Sequence, residues 1–579
     1  MPNFFADNAD IQFHMNHMDL REIVSLMEGD FSQAGEYPYA PASYEDAVDG
    51  CRRVLDLVGQ IAGDIIAPRA EEVDRTGPVC ENGQVTYAKG TRENLDAMAG
   101  ADLMGFTLPR KYGGLNMPTT MYSMAVEMVS RADAGFMTIF GLQDIAETIH
   151  SFASEEQKDR YLPRFCTGEV TGAMVLTEPD AGSDLQSVRL KAYEDEKGQW
   201  RLKGVKRFIT NGCADVLLVL ARSEEGTKDG RGLSLFIAEK GPTVYIRRIE
   251  DKLGIHGSPT CEIHFRETPC ELIGKRRRGL TTYVMALMNG ARLGIASQGV
   301  GVAEAAYRDA LAYAVEREQF GKRIVDMPQV SDLLVSMKIA VATSRSLLYE
   351  TARIVDLAQG YEERQGSLER GAPGYKEVKE KAARYKRLAA VLTPMAKYYC
   401  CERALDVTNA AIQVLGGSGY MRDYAIERYY RDARITTIYE GTSELQVVAI
   451  LAGLHGENLE PWFAERLGRA YTGNVALLAA LVSQVHQRLN DALAFVKGEG
   501  NSDYTDLMGK RLADIACNGA IGCLLLEEAG ASPEKRIVAE KFIRDAAIQT
   551  AAHYQAVTSG NDIVLREYER LLRPDLPVA

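Results

Sequence analysis

Apolar residues recur at helical spacing along most of this chain, and one central stretch breaks the rhythm with short alternating runs. Between residues 43 and 155, segments such as YEDAVDGCRRVLDLVGQIAGDIIAP and TTMYSMAVEMVSRA set apolar side chains three and four apart, the signature of one helix face. A Pro- and Gly-bearing loop, LPRKYGGLNMP, interrupts them. Ahead of this region, residues 1–42 read as an arm with a single amphipathic piece, MDLREIVSLMEG. After Tyr161 the period shortens in GAMVLTEPDAGSD, VRLKAYEDEKGQWRLKGVKRFITNG, VLLVLARS, LSLFIAEK and VYIRRIE, which are bounded by Gly, Asp and Asn. Residues 188–204 predict a hairpin turning at Glu196-Lys197-Gly198, and residues 160–275 a compact antiparallel β domain. Helical spacing returns at Leu280, with GIASQGVGVAEAAYRDALAYAVERE its longest example. The polar segment QGYEERQGSLERGAPGYKE is expected to be an exposed connection. Residues 456–579 are helical again, so the chain divides at 1–42, 43–159, 160–275, 276–455 and 456–579. Helices, then strands, then helices imply separate α and β modules, not an alternating α/β sheet.

Composition narrows the function without naming it. At 579 residues the chain exceeds one ordinary core, and 46% hydrophobic with 25% charged residues is a soluble globular mixture. A formal net charge of −13 argues against nucleic acid as a partner. Ten cysteines without a C-x-x-C pair fit a reducing compartment and give no zinc or disulfide framework. Of the eight histidines, His14 and His17 share a helix face and read as surface residues, so no metal is expected. The N-terminal run MPNFFADNADIQF lacks the basic start of a targeting peptide, and the expected location is the cytoplasm.

Several short motifs carry candidate chemistry, each beside a plainer reading. LTEPDAGSD ends an apolar strand, and its Gly182, Thr177 and Ser183 suit close backbone approach and hydroxyl contacts; an ordinary β-turn is the alternative. Phe208 in KRFITNG offers a ring to cover an aromatic ligand, or simply a core residue. Arg292 in NGARLG is an arginine inside an apolar helix, suited to a phosphate or to pairing with a carboxylate. REQFGKRI and QVLGGSGY bring charge, amide and glycine to helix ends, where phosphate contacts form. The basic run in GKRRRG reads as a solvated connector. Finally, RITTIYEGTSEL sets Glu440 behind β-branched and aromatic residues and before a glycine. A carboxylate against apolar walls is costly unless used, although a glutamate in the first turn of a helix also suits the helix dipole.

In this order, LTEPDAGSD, KRFITNG, KLGIHGSPT, EREQFGK, QVLGGSGYMRDYAIERYYRDARI and IYEGTSELQ resemble the acyl-CoA dehydrogenase family over roughly residues 45–455. The resemblance implies a mainly α fold with a central β domain: an N-terminal helical domain, a middle β barrel-like domain, a C-terminal four-helix bundle and an extra helical extension. It implies FAD between the β domain and the bundle, and an acyl-CoA substrate dehydrogenated to the trans-2-enoyl thioester. Glu440 is then the base that takes the Cα proton, with its own N–H polarising the thioester carbonyl and Gly441 beside it. Some relatives carry the base just before the arginine of the bundle helix; that position is Ala291 here, which leaves Glu440.

By the same resemblance Met174, Val175, Leu176, Thr177, Gly182 and Ser183 line the flavin, and Ser183 also nears the thioester. Phe208, Ile209 and Thr210 pack on the ring, while Asn289 and Arg292 contact the CoA moiety. Gly441, Thr442, Ser443 and Glu444 bind FAD within the subunit. Arg317, Gln319, Phe320, Gln329, Gln413, Val414, Leu415, Gly416 and Gly417 reach the FAD of a neighbouring subunit. That implies a homo-oligomer, and the extension, which in larger members covers a tetramer surface, favours a dimer. Phe208 stands where relatives often have Trp, and Val447 where they commonly have Arg. Electron-transferring flavoprotein is the expected acceptor. The alternatives are an acyl-CoA oxidase using O2, a nucleic-acid-binding repair module on the same fold, and membrane docking through the extension. Near-balanced charge in residues 461–579 disfavours the repair module.

Overall fold

A computed structural model describes residues 2–575. The N-terminal region is helical as its periodicity predicts. Helix Tyr44–Ile61 starts where the Ser43 side chain accepts a hydrogen bond from the Asp46 N–H, and it buries Ala47, Cys51, Leu55 and Val58. Two features depart from the expectation. The arm holds a second helix, Ala9–His17, and a small hairpin, Val79–Glu81 with Gln84–Thr86, lies within the helical region. His14 is buried rather than on the surface: it meets the Tyr349 ring edge-on at 5.2 Å and lies 3.2 Å from the Lys535 ammonium. Its neutral form is favoured there, because desolvation and Lys535 both push its pKa down.

The middle region is one eight-stranded sheet. Lys191–Glu194 and Trp200–Thr210 form the hairpin around residues 196–198, and Trp200–Thr210 continues antiparallel against Thr260–Pro269. The sheet is mixed, not wholly antiparallel, since Gly172–Val175 runs parallel to Val216–Arg222. Val216–Arg222 explains its own sequence. Val216, Leu218 and Leu220 enter one apolar cluster, while Leu217, Val219 and Ala221 enter another on the opposite face. A strand covered on both faces reads as an unbroken apolar run instead of an alternation.

Met285–Glu316, Pro328–Ser367, Tyr375–Leu415 and Ser443–His455 form the bundle. The expected exposed connection is mostly helix. Pro328–Ser367 continues to Ser367 and Tyr375–Leu415 starts at Tyr375, leaving a short link. Beyond residue 456, helices Gly473–Glu499, Ser502–Ala531 and Pro533–Thr558 pack together, and Ser502–Ala531 lies on Ser443–His455. Gly509 permits that approach, because a Cβ there would sit 2.9 Å from Val447 and 3.0 Å from Leu451. A buried ionic knot ties the parts together. The Arg345 guanidinium reaches Asp10 (2.5 Å), Glu127 (2.5 Å) and Glu304 (3.1 Å), and Lys535 of the extension reaches Asp10 at 2.6 Å. No helix among the described residues is long and apolar enough to cross a membrane.

Candidate active site

A cavity of about 1390 Å³ opens between the sheet and the bundle. Glu440 stands in its wall, on the link between helices Ile426–Thr436 and Ser443–His455. The local backbone decides where this carboxylate points. Glu440 has φ +54° and Gly441 φ +92°, two successive left-handed residues. For a glutamate this conformation costs about 1–3 kcal/mol and persists only where neighbours impose it. Several do. Tyr439 bonds through its hydroxyl to Gln298, and Ser443 N–H donates to the Thr437 carbonyl at 3.0 Å. The Gly441 carbonyl accepts from Lys397 Nζ at 2.7 Å and Gln446 Nε2 at 3.0 Å. Helix Ser443–His455 begins after this turn with Thr442 as its cap, so Glu444, not Glu440, occupies the first turn.

Burial pushes the Glu440 carboxyl up to about 7, against the opposing pull of the Lys397 and Arg292 cations. The group is therefore poised between acid and base near neutrality, as proton transfer requires. Arg292 lines the same cavity, and its Nε is buried without a partner. Its Nη1 donates to Asn289 Oδ1 at 3.2 Å; Asn289 is exposed and does not line the cavity.

On the sheet side, strand Trp200–Thr210 slips register against Thr260–Pro269 between Lys206 and Ile209. This bulge turns Phe208 to φ +60° and leaves its ring 51% exposed at the cavity. The facing loop, Thr177 to Asp184, is fastened to that strand. Fully buried Lys206 donates to the Leu176 carbonyl at 2.6 Å and pairs with Glu178 at 3.0 Å, and Glu178 also accepts from the N–H groups of Arg189 and Leu190. The cost of burying the ammonium shows in its pKa, lowered to about 8.

Of the residues expected at the site, Met174, Leu176, Thr177, Gly182, Ser183, Phe208, Ile209, Thr210, Arg292, Glu440, Gly441 and Thr442 line this one cavity. Others stand apart. Val175 is buried in the sheet, the Ser443 hydroxyl bonds Glu402 at 2.6 Å, and Glu444 faces solvent. Arg317 and Leu415 border a different depression beside Tyr313 and Tyr424. Nearby, Gln319, Gln329, Gln413, Gly416 and Gly417 are exposed, Val414 is buried, and Phe320 is 95% exposed on a left-handed backbone. Lys206, Glu178, Gln298, Lys397 and Gln446 also support the site, and local sequence does not single them out. Lys206 lies in KRFITNG and Glu178 in LTEPDAGSD, but only the fold shows that they pair.

The residues present suit a large planar, partly polar ligand. An exposed aromatic ring on an imposed bulge, the hydroxyl-bearing residues Thr177, Ser183 and Thr210, and Gly182, where an added Cβ would meet no atom nearer than 3.8 Å, all line the void. The three domain descriptions of one family match the chain: "Acyl-CoA dehydrogenase, N-terminal domain" over residues 50–169, "middle domain" over 173–268 and "C-terminal domain" over 278–369 and 375–455. The chain belongs to the acyl-CoA dehydrogenase family. FAD is the cofactor of this family, and the cavity fits it. The 3-methylmercaptopropionyl-CoA dehydrogenase of Ruegeria pomeroyi is 32% identical over 479 residues, 78% of each chain. A chain solved in work on the electron transferring flavoprotein of Acidaminococcus fermentans is 32% identical over 70% of this chain and 97% of its own, with a TM-score of 0.60. The FAD-complexed acyl-CoA dehydrogenase of Bacillus anthracis shares the fold along 93% of this chain and 92% of its own, at 24% identity and a TM-score of 0.74.

Proposed function

We propose that this member of the acyl-CoA dehydrogenase family oxidises an acyl-CoA thioester to its trans-2-enoyl form, with Glu440 as the base. The observation that carries this reading is a carboxyl that burial pushes up to about 7 in the wall of a cavity that also presents Phe208 and Arg292. A thioester Cα–H is a weak acid, so its removal needs a base fixed in place and shielded from water. The Glu440 turn supplies the fixed position, and Ile435, Ile438 and Tyr439 supply apolar wall beside it. The Glu440 N–H is placed on the same turn as its carboxylate, which suits it to hydrogen-bond the thioester oxygen as charge builds there. Bound FAD would supply the acceptor for the hydride leaving Cβ. Arg292 would hold the CoA end of the substrate.

Electron-transferring flavoprotein is the proposed electron acceptor, in keeping with the similarity to the Acidaminococcus chain. We also propose a homodimer, in which the exposed set around Phe320 and Gln413 meets a second copy; their separation from the Glu440 cavity supports this. A panel of acyl-CoA thioesters, including 3-methylmercaptopropionyl-CoA, assayed with an artificial electron acceptor tests the reading and identifies the acyl group. Turnover with rapid peroxide formation and no added acceptor would assign an oxidase instead.

A further inference from the structure

Lys397 is fully buried in the middle of helix Tyr375–Leu415. Burying an ammonium is unfavourable unless a specific partner uses it. Its Nζ donates to the Gly441 carbonyl at 2.7 Å, the carbonyl immediately after the base. It does not line the cavity, whereas Arg292 does. We propose that Lys397 is a positioning residue for the reaction: its hydrogen bond locks the left-handed Glu440–Gly441 turn, and its charge keeps the Glu440 carboxylate available as a base. The inference rests on Glu440 being that base.

Charge and position are separable here, because Gln446 donates to the same carbonyl at 3.0 Å without carrying a charge. The charged and titratable groups around the Lys397 ammonium and the Glu440 carboxylate are Arg292, Cys401, Glu402, Tyr439, Asp432 and Glu444. Among them Arg292 is the only other cation pulling on Glu440. Burial holds the carboxyl up near 7 and Lys397 is the first of the two groups opposing it. Loss of the ammonium therefore raises the carboxyl further, and the pH below which turnover fails moves upward.

The test is the pH profile of kcat for FAD-loaded wild type, Lys397→Met, Lys397→Gln and Gln446→Leu, using an acyl-CoA that wild type turns over. Both lysine variants are expected to move the acid midpoint alkaline by about 1 pH unit, the effect of removing one close opposite charge. Lys397→Gln keeps a donor for Gly441 and serves if the Met variant folds poorly. Gln446→Leu is expected to lower kcat and leave the midpoint where it was. A wild-type midpoint in folded, FAD-loaded Lys397 variants overturns the proposal, whatever their kcat. Glu440→Gln assayed in parallel separates the two failures: retained turnover there removes the base and this inference together, whereas a dead Glu440→Gln with unshifted Lys397 variants removes this inference alone.

Discussion

Glu440 combines two costs that proteins ordinarily avoid, a desolvated carboxyl and a non-glycine residue at φ +54°. Substituting Glu440→Gln keeps the shape and removes the base, so kcat should fall by about 10²–10⁴ while the flavin absorbance of the purified protein is retained. Because the reactive form is the ionised one and burial raises its pKa to about 7, activity should fall as the pH drops through that value and level off above it. A kcat profile flat from pH 5 to 8 would contradict the assignment. Gly441 is equally constrained: at φ +92° an added Cβ would lie 2.7 Å from Gln446 Nε2. Gly441→Ala should therefore disturb a donor to the turn and cost about 1–2 kcal/mol of stability, read as a lower melting temperature together with a lower kcat.

At the scale of elements, a bulge in one strand and a turn between two helices face each other across the cavity, and each is fixed by a buried lysine. Lys206 holds the loop after Gly172–Val175 against strand Trp200–Thr210, just as Lys397 holds the turn before Ser443–His455. Glu178→Gln leaves the Lys206 ammonium buried without its counter-charge. The expected loss is about 3–5 kcal/mol, with FAD released more readily on dilution; the double variant with Lys206→Met should regain part of the stability. Equal melting temperatures for Glu178→Gln and wild type would show that the pair does not fasten the loop. The helix and strand types here were readable from spacing. The parallel pairing of Gly172–Val175 with Val216–Arg222 was not, because register between segments some forty residues apart leaves no mark in local periodicity.

Over the whole molecule, Arg345 and Lys535 join the N-terminal arm, the N-terminal helices, the bundle and the extension through Asp10, Glu127, Glu304 and Glu528. Removing one member of such a cluster strands the others. Arg345→Met should lower stability by about 3–5 kcal/mol, measured as a fall in melting temperature of the FAD-loaded protein, although Arg345 lies outside the Glu440 cavity. The extension is part of this assembly, since its Gly509 face covers Val447 and Leu451. Val447 gives that helix an apolar patch for the extension to bury.

The order of helical and β regions and the family are legible in the sequence alone, and so is the candidate carboxylate, Glu440. Each is written locally, in periodicity or in motifs whose residues lie within a few positions of one another. The tertiary structure alone decided that His14 is buried and that the supposed connection after residue 359 is largely helix. It also decided that Lys206, Lys397, Gln298 and Gln446 support the site. The Lys206, Lys397 and Gln298 contacts join groups far apart in the chain, and the short-range bond from Gln446 to Gly441 depends on the left-handed turn between them. An isolated lysine in an apolar helix looks alike in sequence whether it reaches solvent or, as Lys397 does, the backbone beside a buried glutamate.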